Sequence, residues 1–136
     1  MTTVLRSLVV TAVLAAMASG CAARRSRAEP ACDVSRSTTG YSFWRRAAGD
    51  KEVLPIATLE VRRVAGGRQE LLWSIEVDGG LPASHVTYGE VPEGFAQYFP
   101  SHGFPAKLRA GEEYEVRCGN GSRRFSGGAT GYARAR

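Results

Sequence analysis

Lysine is almost missing from this chain, two residues against sixteen arginines among 136, and histidine and methionine number only two each. Cysteine stops at three. There is no Cys-x-x-Cys pair and no histidine at ligand spacing, so a Cys/His metal centre is excluded. No Gly-x-Ser-x-Gly elbow occurs, and Asp78-Gly79-Gly80 lacks the further acidic positions of a calcium loop. The sequence thus points to no catalytic residue, no metal ligand and no cofactor. Long apolar runs are missing too. Ser7 to Ala18 is built only of Leu, Val, Ala, Met, Ser and Thr, but it has twelve residues, and a spanning helix needs about 20. Its length, with Arg6 as the only charge among residues 1–20, suits the apolar core of an export signal. Outside it no segment has a 3.6-residue apolar stripe and nothing repeats, which excludes helical bundles and solenoids. What is left has room for one domain.

The formal charge of +5 is unevenly spread. Residues 21–46 hold six Arg against Glu29 and Asp33; residues 47–122 hold seven Lys/Arg against eleven Asp/Glu; residues 123–136 hold four Arg and no acid. The central part is mildly acidic and both ends are basic. Nucleic-acid binding asks for a basic stripe on the folded surface, so no nucleic-acid partner is expected.

The apolar run closes on Ala18-Ser19-Gly20-Cys21, which resembles the lipobox of bacterial lipoproteins. The resemblance implies cleavage after Gly20, with 1–20 as signal peptide, and lipidation of Cys21. Its small residues admit backbone to the peptidase without side-chain bulk. Ala18 stands where Leu is usual. Ala22 follows the cysteine where an Asp would favour the inner membrane, so the resemblance implies the outer membrane, periplasmic side, with the membrane as a partner through the lipid. Plain secretion with cleavage nearby, for example after Ala23, is the alternative. Two cysteines then remain in an oxidising compartment, and Cys32–Cys118 reads as a disulfide; two unpaired thiols, one of them buried, are the alternative.

Residues 21–31, Cys21 and then a small, charged, Pro-containing stretch, read as the lipidated cysteine and a tether. Residues 33–56 give little beyond a cluster of Tyr41, Phe43 and Trp44, which could be a first strand, and an Ala48-Gly49-Asp50 turn. Then the period becomes two. Ala57, Leu59 and Val61 alternate with Thr58, Glu60 and Arg62; Leu71, Trp73, Ile75 and Val77 alternate with Leu72, Ser74, Glu76 and Asp78, and Gly66-Gly67 joins the two runs as a hairpin. Val86 and Tyr88 make a shorter strand, residues 95–99 another. In 113–118, Tyr114, Val116 and Cys118 point inward between charged residues, before a Gly119-Asn120-Gly121 turn and a last strand 123–126. Six or seven strands predict an all-β antiparallel sandwich over 32–126, with 127–136 a disordered basic tail.

Leu108-Arg-Ala-Gly111-Glu-Glu-Tyr114-Glu-Val116-Arg-Cys118 resembles the E–F corner of fibronectin type III domains, with Ala110 in place of the usual Pro. The resemblance implies an immunoglobulin/fibronectin type III-like sandwich and a Tyr114 hydroxyl bonded to upstream backbone. Trp73-x-Ile75, then Tyr88-Gly89-Glu-Val-Pro92-Glu-Gly94-Phe95-x-Gln97-x-x-Pro100, then the same corner, is similar to small proteobacterial lipoproteins of unassigned function across residues 57–126.

Few groups suggest chemistry. His85 follows Ser84 and His102 follows Ser101 in a Pro/Gly loop; adjacency in sequence makes no dyad, and exposed loop histidines are the plain reading. Glu113 and Glu115 read as a solvated strand face. Tyr88, Phe95, Tyr98, Phe99 and Phe104, set among Gly and Pro, are the candidate recognition surface for an envelope protein or a cell-wall glycan; the alternative makes Tyr88 and Phe95 core and the others cover for a sheet edge. A non-catalytic envelope binding or accessory module is expected, with a periplasmic hydrolase using His102 as the alternative.

Overall fold

The computed structural model describes residues 31–38, 40–47 and 52–128. The signal segment 1–20, Cys21, the tether to residue 30, the Ala48-Gly49-Asp50 turn and the tail from residue 129 lie outside the described residues. Nine strands and no helix occur among them: β1 (Ala31–Ser37), β2 (Gly40–Arg46), β3 (Val53–Leu54), β4 (Thr58–Ala65), β5 (Arg68–Val77), β6 (His85–Thr87), β7 (Phe95–Phe99), β8 (Glu113–Cys118) and β9 (Gly121–Ser126).

They form two antiparallel sheets. The larger has the order β7-β5-β4-β8-β9; in the smaller, β2 pairs with β1 on one side and with β3 and β6 end to end on the other. The chain is an antiparallel β-sandwich. In immunoglobulin lettering β1, β2 and β6 take the A, B and E places, and β5, β4, β8 and β9 the C′, C, F and G places.

The turns follow from glycine. Gly66-Gly67 joins β4 to β5 with φ of 56° and 76°, the positive pair that a two-residue type I′ hairpin demands. In the β8–β9 turn, Gly119 takes φ 62° and Asn120 does not turn positive, so the glycine, not the asparagine, supplies the left-handed residue.

The inner faces carry Val34, Phe43, Leu59, Val61, Trp73, Ile75, Val116 and Phe125, all buried. Ring contacts run continuously from Trp73 to Tyr88 (5.3 Å), Phe43 (6.5 Å), Phe125 (5.8 Å) and Tyr114 (5.5 Å between centroids). Cys32 on β1 and Cys118 on β8 are fully buried with Cα atoms 5.7 Å apart, a separation that suits a disulfide between the sheets.

Several expectations change. Nine strands replace six or seven because residues 31–37, with Cys32 and Val34 as their only buried side chains, carry too little apolar signal to be read, and because β3 is only Val53–Leu54; the Tyr41–Trp44 cluster is the second strand. Ala31 belongs to β1, not to the tether. Ala57 is exposed because the strand begins after it. Leu72 is buried beside Trp73 because β5 holds an extra residue opposite Val61/Arg62; such a bulge breaks the period of two. Glu115 is buried at 8% exposure. It lies under Gln69, whose amide donates to it at 2.8 Å, and Arg117, whose Nε donates at 2.7 Å. The tail does not begin at Gly127: its N–H donates to the Glu112 carbonyl at 2.8 Å, and its carbonyl accepts from Gly111 at 2.7 Å.

Candidate functional site

Beside the β1–β2 hairpin the surface opens into a groove of about 440 Å³. Arg36 and Ser37 come from the end of β1, Tyr41 from the start of β2, Tyr88 to Glu90 from the chain after β6, and Phe104 to Leu108 (except Ala106) from the long loop before β8. Strand geometry places these parts. Tyr41 and Phe43 share the inner face of β2, and the Tyr88 N–H donates to the Tyr41 carbonyl at 2.8 Å, continuing the β2–β6 ladder by one bond.

Each aromatic wall is tied. The Tyr88 hydroxyl donates to the Ala106 carbonyl at 2.7 Å, fastening the loop across the groove. The Tyr41 hydroxyl accepts from the Gly128 N–H at 3.0 Å. The loop's base is held by Gln97: it accepts from the buried Trp73 indole N–H at 2.9 Å and donates to the carbonyls of Pro100 (2.8 Å) and Gly103 (3.0 Å). A buried indole N–H without that partner would cost about 1–3 kcal/mol, so the loop is anchored to the core.

The cations are different. The Arg36 guanidinium sits 5.6 Å from the Tyr41 ring centroid, a stacking distance. Neither Arg36 nor Lys107 pairs with a carboxylate among the described residues. Arg46 and Arg123, by contrast, both pair with Asp33, and Arg62 and Arg117 with Glu60 and Glu115.

The expected recognition surface is divided. Tyr88 and Phe104 line the groove. Phe95 packs against the core, while Tyr98 and Phe99 are exposed on the edge strand β7, away from the groove lining. Arg36, Tyr41, Glu90 and Lys107 are groove residues that the sequence did not mark as site residues, Tyr41 being read as part of a strand; Arg36 went unnoticed because β1 did. His102 is exposed in the loop with no hydrogen bond to Ser101, and His85 Nδ1 lies 3.2 Å from Ser84 Oγ at an exposed position. Among the described residues no three His, Cys, Asp or Glu side chains group to hold a metal ion.

Burial acts on two phenols. It pushes the Tyr88 hydroxyl far above the ordinary tyrosine range, with Tyr114 adding to the rise. Tyr114 is raised as well, first by burial and then by the Glu112 carboxylate that accepts its proton, against the lowering effect of the Arg109 N–H. The folded chain then keeps two protons that the unfolded chain loses near pH 10. Stability is therefore fully present below about pH 10 and falls as the pH rises past it. In an alkaline titration followed by phenolate absorbance, Tyr88 should ionise only as near-ultraviolet circular dichroism disappears, and Tyr114 should ionise later in the folded chain than in the unfolded one. Five phenols titrating together in an intact fold would contradict this.

The fold and its surface thus define a β-sandwich with an aromatic-walled groove at one end. Compared with protein-family models, curated proteins and solved structures, the chain matches none.

Proposed function

We propose that this chain is a lipid-anchored protein of the bacterial cell envelope, held at Cys21 on the periplasmic side of the outer membrane, and that its sandwich is a non-catalytic binding module. The partner is an envelope protein or a cell-wall glycan, taken up in the groove. One observation carries the reading: the chain enters β1 at Ala31, and the groove opens at the other end of that strand, beside Arg36 and Ser37. Seven strand residues span about 20 Å, so a chain tethered at Cys21 would hold the groove away from the membrane. Two or three acyl chains at about 0.8 kcal/mol per buried methylene would make the anchoring permanent.

The test has two parts. Cys21→Ala should block processing and release or mislocalise the protein; a soluble wild-type chain with an unmodified N-terminus would remove the anchor. A photo-crosslinking residue at position 104 should capture an envelope component in living cells, and the same residue at position 76, on exposed β5, should not. Equal capture at both positions would remove the binding module.

A further inference from the structure

Resting on the binding-module reading, we propose that the groove takes an acidic saccharide: a pyranose ring laid against Phe104 with its carboxylate or phosphate held between Arg36 and Lys107. The first support is charge. Five of the nine arginines on the described strands pair with acids, and neither cation of this groove does; the two come from different segments, β1 and the long loop. An anion between them would receive two charge-assisted hydrogen bonds, the strong kind.

The second support is the ring. Phe104 is 89% exposed and stands in a loop fastened on both sides, by Gln97 to Gly103 and by Tyr88 to Ala106. A large apolar ring held in place and left in water suits a flat apolar face such as that of a pyranose. Tyr41 and Tyr88 close the inner wall; the Tyr88 O–H is spent on the Ala106 carbonyl and the Tyr41 oxygen accepts from the Gly128 N–H, so sugar hydroxyls would meet the Tyr41 O–H, Glu90 and Thr38 in the same lining. β1, which brings Arg36 and Ser37 to the groove, pairs only with β2, and β7 and β9 are the outer strands of the larger sheet, so an extended peptide is the competing occupant that the dipeptide tests.

The carboxylate could come from the lactyl group of a peptidoglycan sugar or the phosphate from a lipopolysaccharide sugar, and the experiment separates them. The full chain, ¹⁵N-labelled in detergent micelles, is titrated with N-acetylmuramic acid, glucosamine 1-phosphate, N-acetylglucosamine and an acidic dipeptide. One of the two acidic sugars should shift the amides of Gly40, Gly89 and Lys107 at about tenfold lower concentration than neutral N-acetylglucosamine, the equivalent of about 1.4 kcal/mol. Lys107→Gln and Phe104→Ala should each remove most of that preference, and the remaining amide spectrum should stay in place. Shifts by the neutral sugar at equal concentration, by the dipeptide alone, or by none of the four overturn the proposal. A protein captured by the crosslinker at position 104 together with silent titrations would overturn the saccharide and leave the binding module standing.

Discussion

Tyr114→Ala should lower the stability of the folded chain by about 3–5 kcal/mol, as loss of a buried aromatic ring does elsewhere. The ring is fully buried on β8 against Phe125, and its hydroxyl works in both directions. It accepts from the Arg109 N–H at 2.7 Å and donates to the Glu112 carboxylate at 2.9 Å. Tyr114→Phe keeps the ring and strands the amide, which should cost about 1–3 kcal/mol. The residue after β9 reports on the same place. A Cβ on Gly127 would stand 1.9 Å from the Arg109 carbonyl and 2.8 Å from the Tyr114 ring. Backbone cannot yield as a flexible side chain does, so Gly127→Ala should cost at least the 1–3 kcal/mol typical of overpacking. Glu113→Ala, at an exposed position, should stay within about 0.5 kcal/mol. Glu115→Ala should cost more, because it breaks the ring of hydrogen bonds that Glu115 shares with Gln69 and Arg117. Denaturant unfolding of the five variants checks the order; equal small effects at 113, 114 and 127 would refute it.

A comparable loss should follow from separating Cys32 and Cys118. They lie 86 residues apart in sequence, and the chain-entropy model gives about 4–5 kcal/mol for closing such a loop. Most single domains have about 5–15 kcal/mol in all, so a Cys32→Ala/Cys118→Ala chain should unfold at a far lower denaturant concentration. The native chain should weigh two hydrogens less than the reduced one. Two thiols that alkylate freely in the native protein would refute the bond.

How much of this was legible depended on where the period of two was clean. The inward face of β8 could be read, because Tyr114, Val116 and Cys118 alternate with charges, though not the burial of Glu115 under Gln69 and Arg117, and Gly66-Gly67 declared its hairpin. β5 was legible as a strand but not as a surface, since the bulge that buries both Leu72 and Trp73 depends on the pairing with β4. β1 was illegible: its burial comes from lying between β2 and the edge of the other sheet, a fact of assembly. The groove suffered in consequence. Tyr88 and Phe104 were picked out as aromatics, but the two cations that give the groove its charge lie 71 positions apart in sequence (107 − 36) and meet only through the fold.

Suppose a ligand is gripped at the groove while the chain is held at its N-terminus. The load would then run lengthwise along β1. All seven register pairs between β1 and β2, from Ala31↔Arg46 to Ser37↔Gly40, would be strained together in shear instead of parting one by one as in a zipper. The Cys32–Cys118 contact sits next to the first of those pairs, where a pull through the N-terminus would arrive. Forced rupture is governed by the height of the unfolding barrier rather than by equilibrium stability. A pulling experiment through the N-terminus should then find the sandwich much tougher along that axis than across the β7 edge.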